Sequence, residues 1–253
     1  IQVWRLPHSF QISARKDHHH CLLSHLESID LSSNAFKTTM SDFLPTELAL
    51  LSNLSSLDLS LNHLSSTISS HLGQLSKLTS LYLMENSLTG SFPKELIQMT
   101  DLQVLNLEGN YINAHLTDLV IILSAMPNIS EVLLSWNEIY GTVPTQIGFL
   151  KKFTRFDASH NNFLTGPLPS ELGLLKNLEQ SVLKGNQLTG QIPSELGLLS
   201  NLWKLWAGGI GLQGSIPSEL SSMKALDTLD LGYNSLTGQI PSEVGLMLPV
   251  FSL

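Results

Sequence analysis

The sequence predicts an α/β solenoid. Short coils stack in one direction, with one parallel sheet on the concave face and mostly irregular or 3-10 segments on the convex face. Three observations predict it. The octapeptide LTGQIPSE stands at 188–195 and again at 236–243, an offset of 48, which is twice 24. The frame L-x-x-L-x-x-L-x-L-x-x-N-x-L recurs along the chain. Its asparagines are Asn34, Asn62, Asn86, Asn110, Asn137, Asn161, Asn186 and Asn234, with Ile210 standing in the one gap; successive intervals are 28, 24, 24, 27, 24, 25, 24 and 24. Self-similarity at a period of roughly 20–50 residues marks architectures whose units bury their apolar faces only against one another.

Each part of the unit has a physical reason. Residues 1–22 lack the frame and read as an irregular N-terminal segment or partial cap, with Trp4, Leu6 and Phe10 available to cover the first unit. Residues 23–246 hold nine units, and 247–253 begin a tenth. In each unit the L-x-L core is a strand whose leucines point inward while the residues between and beside them point out. At about 4.8 Å per strand, nine units give an inner sheet roughly 40 Å long. The asparagine amide offers a donor and an acceptor in a short uncharged group, suited to satisfying backbone at the turn that follows the strand. The glycine of LTGxIP permits a tight bend and the proline fixes the crossing to the outer side. Unit four is longer, and its LTDLVIILSAM (116–126) reads as helix.

The segments NSLTGSFPKEL, NQLTGQIPSEL and NSLTGQIPSEV resemble the leucine-rich repeat family, in its plant-type LTGxIP subclass. Algal and other microbial repeat proteins share similar wording. The resemblance covers about residues 23–253. It implies a right-handed horseshoe and points to receptor-like kinase ectodomains. Units one, two and four lack the Gly and Pro of the motif; in unit two Ser66 and Ser69 stand there.

Composition excludes several functions. Of 253 residues 42% are hydrophobic and 13% charged, a globular balance rather than a disordered one. The net charge of −8 repels phosphate backbones, which argues against nucleic acid. The longest apolar run, LVIIL at 119–123, is far short of the roughly 20 residues that span a bilayer. One cysteine, Cys21, permits no internal disulfide, which suits a reducing compartment, whereas the family resemblance favours the cell surface. Localisation stays open between them.

The outward strand positions carry the candidate ligand surface. The central column reads Asp30, Asp58, Tyr82, Asn106, Leu133, Asp157, Val182, Trp206 and Asp230. Flanking it are Trp136, Arg155, His160, Lys184, Trp203, Lys204 and Tyr233. The first two units present Ser and Asp, the last five aromatics and mixed charge. Aromatics beside basic residues on a concave wall have the composition of a binding hot spot. The residues expected to bind ligand are therefore Trp136, Arg155, Asp157, His160, Lys184, Trp203, Lys204, Trp206, Asp230 and Tyr233.

Other motifs are weaker. Gly209, Gly211 and Gly214 spell G-x-G-x-x-G, but Gly214 belongs to the repeat column of Gly166, Gly190 and Gly238, and a short Ile-Pro step follows instead of a long helix. His18, His19, His20, Cys21 and His25 gather metal-ligating groups, yet no second cluster completes a site. No hydrolase, zincin or P-loop motif is present. Asn53 and Asn128 head N-x-S sequons. The expectation is a non-catalytic recognition module without metal or cofactor, binding a protein or peptide, or a glycan, on its concave face. A receptor ectodomain fragment and a structural, adhesive or inhibitory repeat protein are the alternatives.

Overall fold

The computed structural model describes residues 25–40, 44, 48 and 51–243. Nine strands lie side by side in one sheet in chain order. They are β1 (Ser28–Asp30), β2 (Ser56–Asp58), β3 (Ser80–Tyr82), β4 (Val104–Asn106) and β5 (Glu131–Leu133), then β6 (Arg155–Asp157), β7 (Gln180–Val182), β8 (Lys204–Trp206) and β9 (Thr228–Asp230). All neighbours are parallel and in register, so Leu57 meets Leu81, Leu81 meets Leu105, and Phe156 meets Val132 and Ser181. The central residue of each strand points into the core. Leu57, Leu81, Leu105, Val132, Phe156 and Leu205 are all buried. Unit seven departs from this, placing Ser181 where its neighbours carry an apolar side chain. Phe153 and Phe156, stacked at 5.8 Å, fill the core of unit six.

The convex side is built as the Pro column implies. Pro93, Pro144, Pro169, Pro193 and Pro217 each precede a five-residue 3-10 turn. In unit two, Ser69 replaces the proline and its Oγ accepts the His71 N–H at 3.3 Å. Unit four instead has the helix α1 (Leu116–Ser124), capped by His115, whose Nδ1 accepts the Thr117 N–H at 3.2 Å. Leu116, Leu119, Val120 and Leu123 face inward at helical spacing, while Ile121 is exposed. No helix among the described residues is long and apolar enough to cross a membrane.

Beyond the concave sheet, the LTG segments also pair. Ser65–Thr67, Ser87–Gly90 and Tyr111–Ile112 form one short parallel ladder; Tyr140–Thr142, Phe163–Pro167, Gln187–Gln191, Leu212–Gly214 and Ser235–Leu236 form another. The two are separated at unit four, where α1 takes over the outer path.

The asparagine file lies between these layers. Asn161 donates from Nδ2 to the carbonyls of Leu134 (3.1 Å), Ala158 (3.0 Å) and Ser159 (3.2 Å), and its Oδ1 accepts the Ile139 N–H at 2.9 Å. Asn62, Asn86, Asn110 and Asn137 repeat that pattern. Asn34, at the head of the file, bonds the carbonyls of Leu31 and Ser32. Asn234 holds the N–H groups of both Ile210 and Leu212 on its Oδ1. Asn186 differs, because its buried Oδ1 has no partner. The cause is the extra residue Asn162, at φ 61°, which lengthens unit six and displaces the N–H that the other units supply.

The residue before each position of this file is left-handed in all nine units. Ser33, Leu61, Glu85, Gly109, Trp136, His160, Gly185, Gly209 and Tyr233 have φ between 52° and 69°. Only glycine is comfortable there, and an L-residue is strained by roughly 1–2 kcal/mol. Unit eight closes without an asparagine. Ile210 is buried in its place, and Gly211, at φ 77°, passes so near unit seven that a Cβ would lie 2.7 Å from the Leu188 carbonyl oxygen.

Candidate functional site: the concave face of units five to nine

The outward column is not uniformly available to a ligand. Asp58 accepts the Ser60 N–H at 2.9 Å, Asp157 the Ser159 N–H at 3.0 Å and Asp230 the Gly232 N–H at 3.0 Å. Asp30 does the same for Ser32, and Asp157 also takes the Ser159 hydroxyl at 2.7 Å. These aspartates close the turn at the strand end, a local side-chain-to-backbone bond typical of Asp. Asp157 and Asp230, expected to bind ligand, each have one carboxylate oxygen committed to the turn. The sequence signal was present as D-x-S and D-x-G. Leu133 and Val182 also depart from the outward expectation. Both are buried, yet neither belongs to the main core, so they form an apolar floor under the concave face.

Above that floor stand aromatic and cationic side chains. The Lys204 ammonium lies 3.5 Å from the Trp206 ring centroid and that of Lys184 lies 4.9 Å away. Such cation–π contacts contribute about 0.5–1 kcal/mol each when exposed. Trp206 is held in register between Val182 and Asp230. In unit five, Trp136 stacks on His160 at 4.1 Å with an interplanar angle of 13°. The His160 ring extends over Gly185, where any side chain would collide with it. Tyr233 projects from unit nine at 99% exposure. Trp136, His160 and Tyr233 all occupy the left-handed position, so three large rings are kept where glycine would relieve the backbone.

The cations are not neutralised internally. The one ion pair among the described residues is Lys77–Asp101, far from this face. Arg155 lies between Glu131 and Gln180 in the sheet register, and its Nε is buried without a partner. The His160 pKa is pushed below 6.5, first by burial and then by the Lys184 charge, against an opposing pull from Asp157. Its ring therefore stacks on Trp136 as the neutral imidazole at neutral pH.

Of the ten candidate residues, the structure joins Trp136 to His160, and Lys184 and Lys204 to Trp206. Trp203 stands apart. It precedes β8 at the edge of the sheet and accepts the Asp227 and Thr228 N–H groups on its carbonyl. The His18–Cys21 cluster lies outside the described residues.

Known proteins place this scaffold. A leucine rich repeat family model matches residues 51–112, and a second leucine rich repeat model matches 225–247. A solved TDR receptor superposes with a TM-score of 0.82 at 31% identity, covering 88% of this chain and 37% of the receptor. The Arabidopsis receptor kinase HAESA, in complex with the peptide hormone IDA and the co-receptor SERK1, gives 0.74 at 33% identity, covering 85% of this chain and 35% of that one. A plant ice-binding protein gives 0.73 at 28% identity, covering 87% and 68%. This chain thus spans little more than a third of the length of the two receptors. Among curated proteins none is similar enough in sequence to match. With its stacked parallel strands, its asparagine file and these structural neighbours, the chain is a leucine-rich repeat protein of the plant type.

Proposed function

We propose that this protein is a non-catalytic recognition module that binds a protein or peptide on the concave face of units five to nine. The carrying observation is the set of aromatic rings held on strained backbone beside cations that have no internal counter-charge. The same left-handed position holds Ser33, Leu61 and Glu85 in units one to three, so it is the large rings placed there in units five, six and nine, and not the strain by itself, that single out this face. Trp206 between Lys184 and Lys204 and the Trp136–His160 stack offer flat apolar surface beside cationic donors, the combination that anchors interfaces. The chain's net charge of −8 directs this positive island toward an acidic or amphipathic segment rather than toward nucleic acid. HAESA, a structural neighbour, is solved with a peptide hormone and a co-receptor bound, which supports a peptide as the occupant.

Within this reading, residues 23–246 are the nine repeats; the segments 1–22 and 247–253, read from the sequence as an irregular segment or partial cap and the start of a tenth repeat, lie outside the described residues. The receptor neighbours favour a second reading in which these units belong to a receptor ectodomain. Ice binding is not favoured. A crystal lattice needs a regular array, and the threonines of the outer ladders do not stack into one: Thr89 pairs with Tyr111, Thr165 with Gln187 and Thr189 with Pro167.

The test is to pan a random peptide library against the protein and measure the selected peptides by calorimetry. Binding should fall at least tenfold, about 1.4 kcal/mol, in Trp206→Ala and in Trp136→Gly, with circular dichroism unchanged. Undiminished affinity in both variants would place the binding surface elsewhere.

A further inference from the structure

On the sheet edge where the strands begin, units four to eight share a shallow groove of about 410 Å³. It is separate from the concave face. Its floor is a file of amides. Asn128 donates from Nδ2 to the Thr100 carbonyl at 3.0 Å, Asn177 to that of Lys151 at 2.8 Å, and Asn201 to that of Lys176 at 3.0 Å. Each amide spends one N–H on that carbonyl and makes no second Nδ2 hydrogen bond among the described residues. The Oδ1 atoms of Asn177 and Asn201 hold no hydrogen bond among the described residues, whereas Asn128 Oδ1 accepts Lys152 Nζ at 2.7 Å. Lys152 holds the place between Asn128 and Asn177, so the free donor–acceptor pairs are those of Asn177 and Asn201, in adjacent units about one strand spacing of 4.8 Å apart, close to the length of one pyranose ring.

The second wall is the column Gln103, Ser130, Thr154 and Glu179, all lining the groove. In every earlier unit this column is polar, from Ser55 and Thr79 onward, and after the groove it returns to Asp227. Trp203 alone interrupts it. Its backbone N–H bonds the Glu179 carbonyl at 3.0 Å, the same bond that links each residue of this column to the one before, so Trp203 follows the lining residue Glu179 in the column, and it is 36% exposed. A merely solvated rim gains nothing from an indole there. The groove's charged lining groups are Lys152 and Glu179, of opposite sign, so it selects neither anions nor cations.

We propose that this edge groove binds a neutral, extended oligosaccharide. Vicinal sugar hydroxyls would pair with the amides of Asn177 and Asn201, and the C–H face of one ring would pack on Trp203. Amides supply matched donors and acceptors and the indole supplies a flat apolar platform.

The test titrates the protein with neutral hexasaccharides of β-1,4-glucan, β-1,3-glucan and β-1,4-mannan, followed by saturation-transfer NMR and calorimetry. Expression in a host that does not glycosylate keeps Asn128 unmodified. At least one hexasaccharide should bind saturably, insensitive to salt, and about tenfold more weakly in Trp203→Ala. Asn177→Asp, which replaces an N–H donor by a charge, should weaken it comparably, while Trp136→Gly should leave it unchanged. Trp203→Phe should restore part of the affinity. No saturable binding of any of the three, or binding indifferent to Trp203→Ala, overturns the proposal. Loss in Trp136→Gly would also overturn it, by moving the sugar to the concave face.

Discussion

Replacing Asn161 with alanine removes one amide from the middle of the asparagine file, and the hydrogen bonds show which groups suffer. The Leu134 carbonyl keeps Asn137, the Ala158 carbonyl keeps Asn186, and the Ser159 carbonyl keeps the Trp136 N–H. The Ile139 N–H has no such reserve, because its bond at 2.9 Å to Asn161 Oδ1 lies where both residues are 0% exposed. Stranding that donor costs about 1–3 kcal/mol, and the bonds lost by carbonyls that keep a second donor add about 1 more, so the variant should lose roughly 3 kcal/mol. Asn34→Ala, in the same column, removes two bonds to local carbonyls at 3.0 and 3.1 Å at the part-exposed head of the file, and should lose about 1 kcal/mol or less. Asn161→Asp keeps the acceptor but aims a buried carboxylate at three carbonyls. Its pKa must rise above the unfolded value, so the variant should be worst at neutral pH and recover as pH falls. Urea unfolding followed by circular dichroism, with m held constant, gives the comparison. Equal losses for Asn34→Ala and Asn161→Ala would refute the reasoning, because burial of the bonded N–H would then not decide the outcome.

Three further outcomes are expected. Trp136→Gly relieves left-handed strain of roughly 1–2 kcal/mol and gives up a ring stack of about 0.5–1.5 kcal/mol and some backbone entropy, so urea stability should stay within about 1 kcal/mol of the parent while peptide affinity drops. Gly211→Ala places a methyl against the Leu188 carbonyl at a φ of 77°, and should lose about 2 kcal/mol or more in the same assay. His160 binds its proton less readily folded than unfolded, so stability is full above about 6.5 and declines as pH falls through that value toward the folded pKa. An NMR titration should find His160 below its ordinary range and moved upward in Lys184→Ala, and His160→Gln should remove the decline.

The scaffold was legible because it repeats. A leucine every second residue before an asparagine fixes which side chains face inward, and nine registrations of that pattern fix the order of the strands. The outer ladders were legible in principle, since QLTGQI alternates buried Leu188 and Ile192 with exposed Thr189 and Gln191. The site was less so. Asp157 and Asp230 look like ligand groups by type, but the Ser or Gly two residues on turns each toward its own backbone. Trp203 and Trp206 lie three residues apart in one unit. The strand boundary sends Trp206 to the concave face and leaves Trp203 on the edge, a division that depends on where β8 begins. The strain at Trp136 and Tyr233 is a backbone property. The glycines at 109, 185 and 209 in the same column hint at it, but only the dihedral angles identify it.

The four tryptophans permit one decisive measurement. In a proton–nitrogen correlation spectrum, the indole N–H signals are assigned with single Trp→Phe variants and followed while a library-selected peptide is added. Recognition on the concave face predicts that the Trp136 and Trp206 signals move together and saturate at one dissociation constant, while the Trp203 signal stays in place. Movement of Trp203 alone, or of none of the three at saturating peptide, would contradict it.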